Sequence, residues 1–195
     1  MCDTQIKTKN ITTIAIFSAL SILLSFLGFH IPFLPFLKID ASEVIAVLAA
    51  FLTNSALGIT VFFVRNFIFF IFFSKTMGIG ELINFILNSL FIIFSKITYV
   101  KLKNTKLNAL VWCLAIGIIF SSTVNIFLNY FLFYPMIFNI IPQSTILKTY
   151  ASIFPWVTNL SIAVLSVNLP FTILKQLLNS VLLVYLLKYF KSFNL

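Results

Sequence analysis

The stretch His30–Val44 reads HIPFLPFLKIDASEV and separates two long apolar runs of the chain. It holds two prolines and three charged residues, Lys38, Asp40 and Glu43, among large apolar side chains. Proline fixes its own φ angle and disfavours helix at the residue before it, so we expect a stiff loop outside any helix. Its position indicates a chain that leaves a membrane here and then re-enters it.

The composition is that of an integral membrane protein. The 195 residues are 61% hydrophobic and only 9% charged, whereas a soluble domain has close to half apolar and a quarter charged residues. A fold of about 200 residues could not bury this much apolar side chain away from water. The net charge of +9 is then best explained by basic cytoplasmic loops in contact with a lipid bilayer, and we expect no nucleic-acid partner.

The apolar runs predict an all-α bundle of six transmembrane helices that forms a single domain over residues 1–195. A helix that crosses the hydrocarbon layer needs about 20 apolar residues. The apolar stretch from 44 to 73 is too long for one ordinary crossing, so we divide it at Thr53-Asn54-Ser55. About 30 residues between the last two spans contain three prolines and predict a loop or short helix on the membrane face. The predicted spans are 11–29, 43–57, 58–74, 79–100, 109–134 and 165–188.

Six spans place both termini on the same side of the membrane. Eight of the 13 basic residues fall on that side, so it is predicted to be the cytoplasm. The stretch His30–Val44 is then the first extracellular loop, and Asp40, Glu43 and Glu81 lie toward the outside. The eight basic residues are Lys7, Lys9, Lys96, Lys101, Lys103, Lys106, Lys188 and Lys191.

Each of the last three spans carries polar side chains spaced to lie on one helix face. A charged side chain at the centre of a membrane helix costs about 2.5–3.5 kcal/mol on insertion scales, so these faces should turn toward the bundle interior. If the three stripes converge, they line a site with amide groups, one acid and one base. They consist of Glu81, Asn84 and Asn88; Ser122, Asn125 and Asn129; and Asn168, Thr172, Lys175 and Asn179.

The same stripes also fit a purely structural role, because interhelical hydrogen bonds hold membrane helices together. This alternative applies most to Asn84, Asn88 and Asn179. Glu81 and Lys175 favour a site, since both need partners in a low dielectric, and one structural solution is that they pair with each other.

Three further charged residues have structural interpretations. Arg65 is expected to reach toward a membrane interface or to contact a partner subunit. Asp40 or Ser42 is expected to cap the second helix, with Glu43 in its first turn near the positive end of the helix dipole.

The sequence lacks the motifs of an enzyme. No G-x-x-x-x-G-K-[ST] phosphate loop occurs, so the chain is not expected to hydrolyse ATP itself. His30 is the one histidine of the chain, so no second histidine exists to build a metal site, and we expect no cofactor.

Four segments resemble the substrate-binding S components of energy-coupling factor (ECF) vitamin transporters, in particular the riboflavin-specific members. They occur in the same order and span nearly the whole chain. The segments are the A-x-x-x-A of Ala15–Ala19, the loop Pro32–Val44, GIGELINF at Gly78–Phe85, and LNYF at Leu128–Phe131 combined with LPFTILK at Leu169–Lys175.

The resemblance implies a bacterial cell-membrane protein that captures riboflavin from outside under the first loop. The isoalloxazine ring of riboflavin is flat and apolar with a uracil-like edge, which suits an aromatic-rich pocket with a few placed polar groups. The substrate-binding positions implied are Leu37, Lys38, Asp40, Glu81, Asn129, Thr172 and Lys175.

The resemblance also implies partners. Ala15 and Ala19 would let helices approach the ECF transmembrane coupling subunit closely, as small residues at this spacing do. Two ATPase subunits would use ATP to supply the energy, and the S component would tilt in the membrane to release its ligand inward.

Two alternatives stay open. Thr172 stands where riboflavin members often have an amide, and a hydroxyl cannot supply the donor–acceptor pair of an amide. The first alternative is therefore an S component for another vitamin or precursor, such as thiamine, pantothenate or folate. The second is a non-transport membrane scaffold protein whose polar stripes only join helices.

Overall fold

The computed structural model describes residues 2–31, 34–74, 76–104 and 108–192, and the regular secondary structure of this part of the chain is helical apart from one two-stranded hairpin. Two π-helical segments, Asn129–Phe133 and Val164–Asn168, join α5 to α6 and α8 to α9 without a break. The elements are α1 (Cys2–Phe26), β1 (Phe29–Ile31), β2 (Leu34–Ile39), α2 (Ser42–Leu52), α3 (Ser55–Phe73), α4 (Ile79–Leu102), α5 (Ala109–Leu128), α6 (Tyr134–Ile137), α7 (Gln143–Ile153), α8 (Leu160–Ala163) and α9 (Leu169–Ser192).

Among the described residues, five helices are long and apolar enough to cross a membrane. These spans are Thr8–Phe26, Ser55–Phe73, Ile79–Leu102, Ala109–Ile137 and Leu160–Tyr189. Helix α2 is apolar but has only 11 residues, a length of about 16 Å. The membrane helices are thus confirmed, while the count of six crossings stays a prediction. The first predicted span was too long at its end, because α1 ends at Phe26.

The break between the second and third helices lies where it was predicted, but the first and last residues of these helices differ from the predicted ones. Helix α2 ends at Leu52 and α3 already begins at Ser55, because the side chain of Asn54 accepts the N–H of Leu57 (3.0 Å) and caps α3. Gly58 is therefore inside α3. A Cβ at Gly58 would lie 2.5 Å from the Cβ of Ala50, so its lack of a side chain lets α2 and α3 pack closely.

The first loop contains an antiparallel hairpin that the sequence analysis did not predict. Phe29 pairs with Ile39 and His30 with Lys38. The hairpin folds back tightly onto the end of α1 at Gly28. A Cβ at this position would lie 2.4 Å from the Cβ of Asp40 and 2.8 Å from the Cε of Lys38, so only glycine allows this approach.

Large apolar side chains cover the outside of the bundle. Leu23, Phe72, Phe131 and Val181 are all between 62% and 70% exposed. Soluble monomers rarely expose contiguous apolar surface on this scale, so this surface is suited to lipid contact.

Six helix ends meet the hairpin at one end of the molecule, and this arrangement creates the site described below. They are the ends of α1, α3 and α5 and the beginnings of α2, α4 and α9. Helix α2 runs away from this end. Near the other end of α4, the ammonium of Lys96 donates to the carbonyls of Ala50 (2.7 Å) and Phe51 (3.2 Å), at the end of α2.

Candidate ligand-binding cavity

A cavity of about 440 Å³ lies between these helix ends, beside the hairpin. Its volume is within the range of about 300–1,000 Å³ that is usual for small-molecule sites. Five phenylalanine rings contribute apolar walls, and the three predicted polar stripes supply much of the polar lining. The rings are Phe26, Phe69, Phe73, Phe133 and Phe171, and the stripe residues at the cavity are Glu81, Asn84, Asn88, Asn125, Asn129, Asn168, Thr172 and Lys175.

The structure brings most of the predicted ligand residues together at this cavity. The side chain of Leu37 lies outside the part of the chain that the structure describes, although its backbone belongs to β2. Two stripe residues, Ser122 and Asn179, are not part of the lining. The predicted ligand residues that line the cavity are Lys38, Asp40, Glu81, Asn129, Thr172 and Lys175.

The ion pair of Lys175 differs from the one proposed from the sequence. Its Nζ lies 2.5 Å from Oε1 of Glu43, so the suggested pairing of Lys175 with Glu81 is wrong. Glu43 is in the first turn of α2, as predicted. Its side chain is almost fully buried, and it faces α9 across the cavity.

Two amides complete the environment of Glu43. Asn179 donates from Nδ2 to Oε2 of Glu43 (3.1 Å), so it joins α9 to α2. The amide of Asn84, turned so that its oxygen faces a donor, places its nitrogen 3.0 Å from Oε1 of Glu43 and its oxygen 2.9 Å from Nη1 of Arg65. Asn84 therefore connects two charged groups in the cavity wall.

Arg65 belongs to this wall and not to an interface with lipid or a partner, contrary to the prediction. Only 5% of the residue is exposed. Its Nη2 lies 3.3 Å from Oδ2 of Asp40 and 3.0 Å from Oγ of Ser25. The guanidinium also lies over the ring of Phe69, 5.0 Å from its centroid. Both interactions offset the cost of burying this charge in a membrane helix.

Asp40 connects the hairpin to α1, α2 and α3. Its Oδ1 accepts the backbone N–H of Ser42 (3.1 Å), at the first residue of α2. The N-cap position itself is Ala41, whose side chain forms no capping bond, so Asp40 acts one residue earlier than a standard cap. Lys38 lies 3.2 Å from Oδ2 of Asp40 and donates to the carbonyl of Ser25 (2.6 Å).

The electrostatic environment keeps Asp40 ionised. Burial alone would raise the pKa of its carboxyl group, but Lys175, Arg65, the hydrogen bond from Ser42 and Lys38 together hold that pKa at about 2. Burial lowers the pKa of the Lys38 ammonium, and its pairing with Asp40 opposes this shift.

Glu81 is held at the beginning of α4 by hydroxyl groups of the preceding turn. Its Oε2 accepts hydrogen bonds from Ser74 (3.0 Å) and Thr76 (3.3 Å). Met77 and Gly78 in this turn both have positive φ angles of 51° and 84°. Lys75, the neighbour of both hydroxyl residues, lies outside the described residues. The carboxylate is thus fixed at the edge of the cavity.

A chain of hydrogen bonds connects α5 and α9 in the cavity wall. Asn129 donates to the carbonyl of Asn125 (2.9 Å) and to its side-chain oxygen. Asn125 donates to Oγ1 of Thr172 (2.7 Å), which in turn donates to the carbonyl of Asn168 (2.9 Å). The hydroxyl proton of Thr172 is therefore already used within the protein, and only acceptor capacity is left for a ligand.

Both π-helical segments end at this wall, and π-turns inside helices are frequent at functional sites. They bring Tyr134 and Asn168 close enough to form a closed ring with Tyr150 of α7. Tyr134 and Tyr150 share a hydrogen bond (2.7 Å), Tyr150 donates to Oδ1 of Asn168 (2.8 Å), and Asn168 donates to Tyr134 (2.7 Å). All three residues are buried.

Several residues in or behind the cavity wall could not be assigned to it from the sequence. Helical spacing identified the stripes in α4, α5 and α9, but Glu43 and Arg65 stand alone in apolar helices and have no stripe. The cost of a charge within a membrane helix was the available signal for Arg65. Tyr134 and Tyr150 could not be paired from sequence, because their contact depends on the π-turns.

Ala15 and Ala19 lie away from the cavity on the outer surface. Both are exposed and line a groove of about 440 Å³ between α1 and α3. The other groove residues are Ile11, Ile14, Ser18, Ile22, Val64 and Ile68. The groove is apolar and lies on the outer surface of the bundle.

Comparison with known proteins gives consistent matches. The family described as ECF transporter, substrate-specific component, matches residues 9–187. The riboflavin transporter RibU of Staphylococcus aureus (strain TCH60) is 32% identical over 193 residues, which cover 96% of this chain and 93% of RibU. The riboflavin transporter FmnP of Bacillus subtilis (strain 168) is 31% identical over 132 residues, which cover 66% of this chain and 68% of FmnP.

A solved structure also has the same fold. It is described as "Structure and mechanism of the S component of a bacterial ECF transporter", and it superposes with a TM-score of 0.74 at 26% identity, covering 96% of this chain and 98% of the other. The chain is therefore a multi-pass bacterial membrane protein that belongs to the family of ECF transporter substrate-specific components.

Proposed function

We propose that the protein binds riboflavin from outside the cell with high affinity and delivers it inward with an ATP-driven ECF module. The observation that carries this proposal is the single cavity at which Lys38, Asp40, Glu81, Asn129, Thr172 and Lys175 meet. The two riboflavin transporters to which the chain is similar support the choice of ligand.

The chemistry of the cavity suits a flavin. The phenylalanine rings of the wall offer flat apolar surfaces for the isoalloxazine ring, and aromatic pairs favour offset or edge-to-face contact. Asn129, Glu81 and Lys175 supply an amide, an acceptor and a donor for the uracil-like edge and the ribityl hydroxyls. Few polar groups in an apolar cavity is the common form of a specific small-molecule site.

We further propose six crossings with both termini in the cytoplasm. Helix α2 is short, but it begins at the cavity end of the bundle, and the carbonyls of Ala50 and Phe51 at its end contact Lys96 near the other end of α4. It therefore carries the chain from one end of the bundle toward the other, and we count it as the second crossing. Lys96, Lys101, Lys103 and Lys188 lie toward the ends of α4 and α9 that face away from the cavity, and by the positive-inside rule this supports a cytoplasmic location for that end.

The groove at Ala15 and Ala19 is the proposed contact with the ECF transmembrane coupling subunit. Small residues let a helix of another subunit approach closely, and in lipid such packing drives association. The two ATPase subunits would use ATP, and tilting of the S component would release riboflavin to the inside.

The second candidate is an S component for another vitamin, and Thr172 is the observation that favours it. Its hydroxyl proton is already donated to the carbonyl of Asn168, so it cannot replace both hydrogen bonds of the amide that riboflavin members often have there. A ligand that needs fewer donors at this position would fit equally well.

Purification from cells grown with riboflavin, thiamine, pantothenate and folate tests the proposal. We expect the protein in detergent to carry the visible absorbance of a flavin, which mass spectrometry of the released ligand identifies as riboflavin. Release of a different vitamin would support the second candidate, and a folded protein that carries and binds none of the four would favour the scaffold alternative.

A further inference from the structure

We propose that Glu43 positions Lys175 and neutralises its charge, so that Lys175 acts as a hydrogen-bond donor to an uncharged acceptor group of the ligand. This inference rests on the proposed function, because it concerns the ligand of the same cavity. It adds a positioning residue in α2 and a preference for riboflavin over its phosphorylated form, flavin mononucleotide.

The carboxylate of Glu43 is held by donors on two neighbouring helices. Its side chain is 4% exposed. Oε1 accepts from Lys175 (2.5 Å) and lies 3.0 Å from the amide nitrogen of Asn84, while Oε2 accepts from Asn179 (3.1 Å). A carboxylate with these three partners cannot turn toward a ligand without losing hydrogen bonds, so its own role is to hold Lys175.

Lys175 keeps capacity for a ligand. An ammonium group carries three donors, and within the described part of the chain the one hydrogen-bond partner of Lys175 is Glu43. The side chain is 16% exposed and lines the cavity. Two N–H groups therefore remain for a ligand, and the bond to Glu43 fixes their direction.

The ion pair also sets the kind of acceptor that binds best. Lys175 paired with Glu43 presents donors without a net charge, which matches a carbonyl oxygen of a uracil-like ring. A phosphate gains most from an unneutralised cation. Among the other charges at the cavity, Lys38 and Arg65 share Asp40, and Glu81 supplies a further carboxylate. The three described cations of the lining are thus matched by three carboxylates. The described charges thus favour a neutral ligand over an anionic one.

A double-mutant cycle tests whether Glu43 acts through Lys175. Glu43→Gln keeps the shape of the side chain and removes its charge. We expect this change to weaken riboflavin binding at least tenfold when Lys175 is present, and less than twofold in the Lys175→Gln background. Binding is measured by quenching of flavin fluorescence in stripped protein.

Glu81→Gln is the matched control, because Glu81 is a second carboxylate of the cavity that bonds to Ser74 and Thr76 and not to Lys175. Its effect and that of Lys175→Gln should multiply, because Glu81 and Lys175 share no hydrogen-bond partner among the described residues of the protein. If the effects of Glu43→Gln and Lys175→Gln multiply in the same way, the inference is wrong.

Flavin mononucleotide supplies a readout that a purely structural role would not change. Loss of the carboxylate leaves Lys175 with an uncompensated charge. We therefore expect Glu43→Gln to shift the ratio of the two affinities at least tenfold toward flavin mononucleotide. Equal weakening of both ligands would overturn the assignment.

The proposed function and this inference fail in different ways. If the wild-type protein binds neither flavin, the proposed function fails, and the same cycle is then measured as the thermal midpoint of the ligand-free variants. Each single variant leaves one buried charge unpaired, so each should lower the midpoint more than the double variant does. If the decreases in the midpoint caused by the two single variants add up in the double variant, the inference is wrong. This test requires no ligand.

Discussion

Nη2 of Arg65 lies 3.3 Å from Oδ2 of Asp40, and this ion pair joins the third helix to the base of the hairpin. The two residues are 25 positions apart in the chain, and both are at least 94% buried. Lys38 shares the same carboxylate oxygen. One buried carboxylate thus bonds both to a residue of the hairpin and to a residue of α3.

Asp40→Asn should therefore destabilise the protein and weaken riboflavin binding. The change leaves the buried guanidinium of Arg65 without its counter-ion, which costs about 3 kcal/mol or more. Thermal unfolding in detergent and flavin quenching measure the two effects. Lys96→Gln is a suitable control for binding, because Lys96 is a partly buried cation outside the cavity. Unchanged riboflavin affinity in Asp40→Asn would show that the hairpin is held by other contacts.

The pH dependence of stability follows from the same carboxylate. Because its folded pKa of about 2 is below the ordinary value of 3.8, ionised Asp40 contributes stability that is fully present above about pH 4 and is lost as the pH falls through 2. The difference corresponds to about 2 kcal/mol. We expect the thermal unfolding midpoint of the wild type to decrease as the pH is lowered through this range. The midpoint of Asp40→Asn should decrease less. Parallel acid curves for both proteins would contradict this explanation.

Thr172→Val should weaken riboflavin binding, although valine has the same shape as threonine. The change removes the acceptor for Asn125 and the donor to the carbonyl of Asn168, and each unsatisfied buried group costs about 1–3 kcal/mol. Asn129, which bonds to Asn125, then loses its fixed orientation. We expect about a tenfold loss of affinity in a fluorescence titration. Thr172→Ser keeps the hydroxyl and should bind almost as the wild type does; equal losses in both variants would rule out the hydrogen bonds as the cause.

Tyr150→Phe should reduce both stability and affinity. The hydroxyl of Tyr150 closes the hydrogen-bonded ring with Tyr134 and Asn168, two residues of the cavity wall. Its loss leaves an acceptor on Asn168 and the hydroxyl of Tyr134 without their partner, at about 1–3 kcal/mol. Tyr185→Phe, at an exposed position of α9, is the control for thermal unfolding and ligand titration. A midpoint shift no larger than that of the control would show that the ring does not hold α7.

Ala15→Leu combined with Ala19→Leu should abolish riboflavin uptake by cells and leave riboflavin binding intact. The added side chains fill the groove between α1 and α3 and prevent close approach of the coupling subunit. Val181→Phe adds similar bulk to a lipid-facing position outside the groove and should leave uptake unchanged. Normal uptake by the double variant would exclude this groove as the coupling surface.

Much of this architecture was predictable because the membrane imposes strong rules on a sequence. The break at Thr53-Asn54-Ser55 and the polar faces of α4, α5 and α9 follow from span length and from the cost of polar groups in lipid. The hairpin was not predictable, because LPFLKI lacks the alternation of a half-buried strand and contains Pro35, which is tolerated mainly at sheet edges.

The partners of the charged residues could not be predicted from the sequence either. Glu43 appeared only as a first-turn residue of α2, and its contact with Lys175 joins residues 132 positions apart. Spacing along one helix shows which side chains share a face, but not which face of another helix they meet. Glu81 and Lys175 were predicted to lie at one site, and both line the cavity, but the suggested pairing of the two with each other was wrong.

Equilibrium titration of the ligand-free protein with riboflavin tests the central claim most directly. The protein is stripped of bound ligand in detergent and titrated while the flavin fluorescence is recorded. We predict saturable one-to-one quenching that Asn129→Ala and Lys175→Ala each weaken at least tenfold. A folded protein that leaves the fluorescence unchanged would contradict the assignment of riboflavin to this cavity.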